Sequence, residues 1–313
     1  MTDIAASSPP DRPANPWRRL RRIFLGPHGL RAGWSLLIFL IVCELPSGLA
    51  GLALQRAGAL PEHPAWDPGL LFGFEAFSFV LVLVGIALMG WIEGRTFAAY
   101  GFPFREAFGR KFWTGSLWGI LSIAAVVGMM ALAGGYSVSG LAIHGGEAVK
   151  GAVLWALATL AIGLYEENYF RGYTLFTLSR GMGFWSGAVL LSLVFGALHY
   201  FVKPRETWMD LLSVSLIGLF FCLTVRRTGS VWWAVGWHFT YNFGSLFVFG
   251  GPNTGNDGHP VPGHLLASTF HGPDWLTGGP MGPEASVFIF PVIALLFWAF
   301  HRRHREVRFP AES

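Results

Sequence analysis

Three short groups of polar residues sit inside otherwise apolar stretches. Tyr165-Glu166-Glu167-Asn168-Tyr169-Phe170-Arg171 puts two carboxylates and a guanidinium after a long run of uncharged residues. Phe195-Gly196-Ala197-Leu198-His199 offers a lone imidazole. His238-Phe239-Thr240-Tyr241-Asn242 sets a His and an Asn four residues apart, which places both on one face of a helix. Ionisable groups in such surroundings are expensive to keep and are functional candidates by default.

Helical spacing separates the two glutamates. Glu167 and Arg171 stand four residues apart with the acid on the N-terminal side, the better order for an ion pair, so Glu167 is expected to stay ionised and structural. Glu166 lies about 100° around the helix and lacks that partner. Low dielectric should leave it able to accept and return a proton, which makes it the better catalytic base.

The elements that must position these groups are membrane helices. Of 313 residues, 53% are hydrophobic and 13% charged, against about 25% charged in soluble domains, and the mean hydropathy is +0.48. The apolar residues form blocks of roughly 20, long enough to cross the hydrocarbon core. Spans are expected at about 32–54, 70–92, 112–133, 149–178, 183–201, 208–225, 231–249 and 286–300. The predicted fold is therefore an all-α polytopic membrane protein of about eight transmembrane helices. Eight spans place 18 of the 22 Lys and Arg residues on the side of the N-terminus, leaving Arg56, Lys150, Lys203 and Arg205 on the other. The positive-inside rule then puts both termini in the cytoplasm. Residues 1–30, with a Pro- and Ser-containing stretch and a basic cluster, are expected to form a disordered tail; 31–303 a single membrane domain; and 304–313 a cytoplasmic tail. Cys43 and Cys222 both fall in apolar blocks and read as core residues. The basic residues gather at block ends with no aromatic-interleaved patch, so no nucleic acid is expected as a partner.

Counted at about 1.5 Å per residue from the basic residues that mark the cytoplasmic edge, Glu166, His199, His238 and Asn242 lie at roughly 16 to 29 Å, depths at which they can meet. The three motifs, Glu-Glu-x-x-x-Arg, Phe-x-x-x-His and His-x-x-x-Asn, follow one another on successive helices. In that order they resemble the CAAX prenyl protease 2 and bacteriocin-processing (CPBP, or ABI) family of intramembrane endopeptidases, over a core at about 149–250. The resemblance implies an eight-helix core in which Glu166 and His199 activate a water while His238 and Asn242 bind the oxyanion, with Glu167 and Arg171 as the second acid and the Arg of the first motif. Side-chain donors of this kind are suited to an oxyanion. No cofactor is required by this chemistry. The alternative makes Glu166, His199 and His238 a zinc site with a catalytic water, a reading disfavoured by the lack of a His-Glu-x-x-His helix and by the idle Asn242. Serine and aspartyl designs fit poorly: Trp185-Ser186-Gly187 is only a partial nucleophile turn, and Asp210 stands without a second membrane Asp.

Several residues are set aside at this stage. Glu44 and Glu75 read as buried neutral carboxyls bonded to neighbouring helices, the alternative being that either lines the cavity or belongs to a proton path. The segment 251–284, with Asp257, His259, His264, His271 and Asp274 among many Gly and Pro, reads as a solvated loop. Trp113, Trp208, Trp232 and Trp233 read as interfacial belts. The expected function is an endopeptidase in the bacterial inner membrane, acting on a peptide or protein substrate that is membrane-anchored or lipidated. The rivals are a non-catalytic immunity or assembly protein and a proton-coupled transporter, the latter disfavoured by the absence of inverted repeats.

Overall fold

The computed structural model describes residues 22–27, 29–59, 67–202 and 205–309. Most of the expected N-terminal tail, the last four residues and Lys203 lie outside them. A small antiparallel pairing of β1 (Leu25–Gly26) and β2 (Gly29–Leu30) leads into α1 (Ala32–Arg56) and α2 (Pro68–Glu93). Asp67 starts α2 by accepting from the amides of Gly69 and Leu70, and Gly94 ends it in the left-handed conformation. There follow α3 (Arg110–Leu132), strand β3 (Tyr136–Leu141), α4 (Gly145–Glu166), a π-helical stretch Glu167–Thr174, α5 (Leu175–Met182), α6 (Phe184–Val202) and α7 (Trp208–Thr228). After α8 (Trp232–Asn242), itself extended by a π-helical stretch Phe243–Val248, come β4 (Pro252–Asn253), β5 (His259–Pro260), β6 (Leu266–Phe270), the short α9 (Asp274–Thr277) and α10 (Ile289–Arg303).

Seven helical stretches among the described residues are long and apolar enough to cross a membrane, including Gly145–Met182 taken as one and Gly279–Arg303 taken as one. The expected seventh span is present as α8 and its π extension, but is shorter than these. The outer faces of α1 and α2 leave side chains such as Leu45, Leu49, Phe72 and Val80 exposed, the surface that a bilayer rather than water would cover.

Small residues let the helices that carry the polar motifs approach each other. A Cβ on Gly115 or Gly119 of α3 would stand 2.0 Å from the Trp233 carbonyl or 2.3 Å from that of Trp237, and one on Gly236 of α8 would stand 2.1 Å from the Phe112 carbonyl. Helices α3 and α8 therefore touch backbone to backbone, as small-residue crossings in membranes do. Gly163 gives α4 a similar approach to α8, with the Val235 carbonyl 3.2 Å from where its Cβ would be. Trp232 and Trp233, expected at an interface, are instead buried at this crossing; Trp232 stacks on Phe102 and donates its indole N–H to the Pro103 carbonyl at 3.1 Å. Trp113 and Trp208 are exposed as expected.

The two ends of the bundle differ. At the end reached by the close of α2 and the close of α10, Glu93 ties three helices together: it accepts from Ser35 at 3.0 Å, Tyr100 at 2.9 Å and Tyr173 at 3.0 Å, and pairs with Arg180 at 3.3 Å. At the opposite end, β3 pairs antiparallel with β6 from Tyr136↔Phe270 to Leu141↔Leu266. The segment 251–285 lies there too, and it is not the solvated loop expected from composition. Asn253, Thr254, Val261, Met281 and Ala285 are buried. Its backbone groups find partners in β4–β5, in 3-10 turns and in side chains, with Ser213 donating to the Glu284 carbonyl at 2.7 Å. Backbone can be buried here because its polar groups are satisfied.

Candidate active site

Glu166 is the last residue of α4, and Glu167 opens the π-helical stretch, whose Gly172 departs from helical geometry (φ −82°, ψ −111°). Wide turns of this kind recur at functional sites because they displace side chains from the regular helical stagger. Glu167 and Arg171 are fully buried and paired, Arg171 Nη1 donating to Glu167 Oε1 at 3.3 Å. The guanidinium is further held against the ring of Phe195 at 4.1 Å, with Phe221 at 5.5 Å and Phe170 at 5.6 Å. Space for it depends on Gly218 of α7, where a Cβ would stand 2.7 Å from Arg171 Nη2.

Glu167 has a second task that its spacing to Arg171 does not reveal. Its Oε1 accepts from His238 Nδ1 at 2.9 Å, so one buried carboxylate fixes both the guanidinium and the imidazole. The other ring nitrogen, Nε2, then faces Glu166 Oε2 at 3.9 Å. His199 bonds through Nδ1 to the Phe195 carbonyl at 2.9 Å; a carbonyl only accepts, so Nδ1 carries the proton. The Phe195 ring packs beside it with centroids 4.6 Å apart. Phe195 thus serves the first two motifs at once, touching Arg171 with its ring and His199 with its carbonyl.

Glu166, His199, His238 and Asn242 all line one cavity of about 140 Å³. Glu166 is one-fifth exposed and His238 about one-eighth, so the cavity is reachable while most of each side chain is enclosed by protein, which strengthens its electrostatics. A smaller adjoining space of about 60 Å³ runs from His199, His238 and Asn242 to Phe221, Trp237 and Tyr241. The Asn242 amide makes no hydrogen bond to the other described residues.

Three further polar residues line the larger cavity: Glu75, Asn253 and Glu284. Glu75, set aside above, faces the cavity from α2; its signal was a charge within an apolar span. Glu44 is exposed on α1 and is not among the cavity-lining residues. Asn253 and Glu284 come from the segment that composition marked as loop, and nothing in their spacing reveals them. Leu71 near the start of α2 and His199 near the close of α6 also line the cavity, so it lies toward the end covered by 251–285. Among the described residues no group of three His, Cys, Asp or Glu side chains comes together that could hold a metal ion.

No curated protein and no solved structure matches the chain. Residues 148–244, the stretch that supplies all three motifs, match the family described as type II CAAX prenyl endopeptidase Rce1-like. This polytopic helical membrane protein thus carries, in its α4 to α8 region, a domain of the Rce1-like protease family.

Proposed function

We propose that the chain is an intramembrane endopeptidase that hydrolyses a peptide bond with a water activated by Glu166 and His199. The observation that supports this most is the convergence of Glu166, His199, His238 and Asn242, from α4, α6 and α8, on one small cavity. In this reading Glu166 takes a proton from the water as its oxygen adds to the scissile carbonyl, and later delivers it to the departing amine, so the base is restored each turnover. His199, with Nδ1 committed to Phe195, has Nε2 left to take part in this proton traffic. The oxyanion is held by the Asn242 amide and by His238.

The hydrogen bond to Glu167 constrains His238. With Nδ1–H donated to Glu167, the ring can donate to an oxyanion only from Nε2, which requires it to carry both protons. Two carboxylates, Glu167 at 2.9 Å and Glu166 at 3.9 Å, stand ready to offset that charge. Glu167 is then the group that orients the oxyanion donor, while Glu166 does the proton transfer.

The substrate is a peptide at or near the membrane surface: a lipidated C-terminus, a leader peptide or a membrane-protein segment. The protein resides in the bacterial inner membrane with both termini cytoplasmic, as the charge distribution favours, and the cavity then lies toward the outer face. Membranes from cells expressing wild type and Glu166→Gln are compared by proteomics. Peptides that change only with the wild type support the assignment and name the substrate; identical profiles sink it.

A further inference from the structure

At the other end of the bundle, away from the catalytic cavity, the ends of α3, α7 and α10 surround a space of about 770 Å³. Eight Lys and Arg side chains line it against two carboxylates, Glu106 and Glu306, an excess of six positive charges. We infer that this cavity binds the phosphate group of an anionic lipid.

Basic residues on one face follow from membrane orientation alone, so the question is what these particular ones do. Others on the same face are built into the fold. Arg180 pairs with Glu93 at 3.3 Å and donates to the Leu30 carbonyl at 2.8 Å, and Arg226 donates to the Phe309 carbonyl at 2.9 Å while stacking on Phe184 at 4.5 Å. Around the cavity the pattern differs. Lys111 pairs with Glu106 at 2.7 Å and Arg308 with Glu306 at 2.6 Å, which uses both carboxylates. The guanidinium groups of Arg105, Arg110 and Arg303 form no hydrogen bond or ion pair with any described residue, although all three face the same space. Charges from two separate parts of the chain, around 105–110 and at 303, converge while both carboxylates are taken by other cations, an arrangement that an anion would stabilise.

Two features narrow the anion. Helix α3 begins at this cavity on Gly109, an N-cap with no side-chain oxygen, so its first-turn amides are left uncapped beside Arg110 and Lys111. Amides at a helix start together with guanidinium forks suit a phosphate, whose several oxygens accept from both. Exposed tryptophans stand at the same level, Trp113 in the first turn of α3 and Trp298 on α10 beneath the Arg302 guanidinium at 5.7 Å. Indoles so placed mark the headgroup zone, where the phosphates of lipids are concentrated. The cavity also acts on its own imidazole: burial first, then the nearby Arg303, Arg308 and Lys111, lower the pKa of His304.

The test uses the full chain purified in detergent and titrated with phosphatidylglycerol and, separately, phosphatidylcholine, bound lipid being counted by native mass spectrometry. Phosphatidylglycerol is expected to bind in preference. Replacing Arg105, Arg110 and Arg303 together by Gln should weaken that binding about a hundredfold, at roughly fivefold for each basic residue near an anionic lipid, whereas Arg56→Gln at the opposite end should not change it. Should the triple variant fail to fold, Arg303→Gln alone is read, with about a fivefold loss expected. Inorganic pyrophosphate is the competing arm: displacement of the lipid shows that soluble phosphates reach the same site, and failure to displace it assigns the site to lipid. Equal phosphatidylglycerol binding by wild type and a folded Gln variant overturns the inference, as does equal binding of the two lipids by the wild type.

Discussion

Changing Glu167 to Gln removes one charge from a pair in which both side chains are fully buried. Arg171 would keep its charge with only the faces of Phe195, Phe221 and Phe170 around it. Removing one partner of a buried pair costs about 3–5 kcal/mol, and the aromatic contacts would recover about 1–2 kcal/mol only if they were not already formed. They are formed, so the full loss stands. The lost bond to His238 acts through the same carboxylate and is not added separately. Glu166→Gln should behave differently, since Glu166 is partly exposed and its nearest cation candidate, His238 Nε2, is 3.9 Å away: a change within about 1 kcal/mol is expected, with loss of cleavage. The assay is reversible unfolding by SDS in mixed micelles, with circular dichroism as the readout. The double variant Glu167→Gln/Arg171→Met should regain most of the loss, because an apolar replacement of the whole pair leaves no buried charge. If Glu167→Gln is as stable as wild type, or the double variant is less stable than the single, the buried pair does not have the role given to it here.

Three other outcomes are expected. Gly236→Ala places a methyl 2.1 Å from the Phe112 carbonyl, which only backbone movement relieves, so it should destabilise by about 1–3 kcal/mol in the same assay and separate α8 from α3; unchanged stability would contradict the close crossing. Asn242→Ala should lower turnover by about 10²–10³ with substrate binding nearly unchanged, and wild-type turnover in that variant removes it from the oxyanion site. Activity should survive a strong chelator; one equivalent of zinc by elemental analysis, whose removal and return switches activity off and on, would reverse the choice of chemistry.

The polar motifs were legible in the sequence because a charge inside an apolar helix is expensive and therefore conspicuous. That principle located Glu166, Glu167, Arg171, His199 and His238, and applied without discount it would have kept Glu75 as well. It had no purchase on Asn253 and Glu284, which lie among Gly, Pro and other polar residues where one more carboxylate carries no signal. The same composition made 251–284 look solvated, since composition does not record whether backbone groups will find partners; here short pairings and turns supply them.

Local periodicity and hydrophobicity were sufficient for the helices themselves: α1, α2, α3, α6 and α7 begin and end close to where apolar runs meet Arg, Pro or Gly, because the apolar length and the breakers are both local properties. The i,i+4 relation of Glu167 to Arg171 is equally local. The bond from His238 to Glu167 joins residues 71 positions apart, and no spacing rule reaches across that distance. It exists because Gly115, Gly119, Gly163 and Gly236 let α3, α4 and α8 approach backbone to backbone, and because the π-helical turn carries Glu167 and Arg171 inward while Glu166 stays beside the cavity. Residue types and their order pointed to the proposed chemistry, because cost and helical period are carried by the chain itself. Which carboxylate holds which partner was decided by tertiary packing, because that depends on the distance between helices that meet only once the fold is complete.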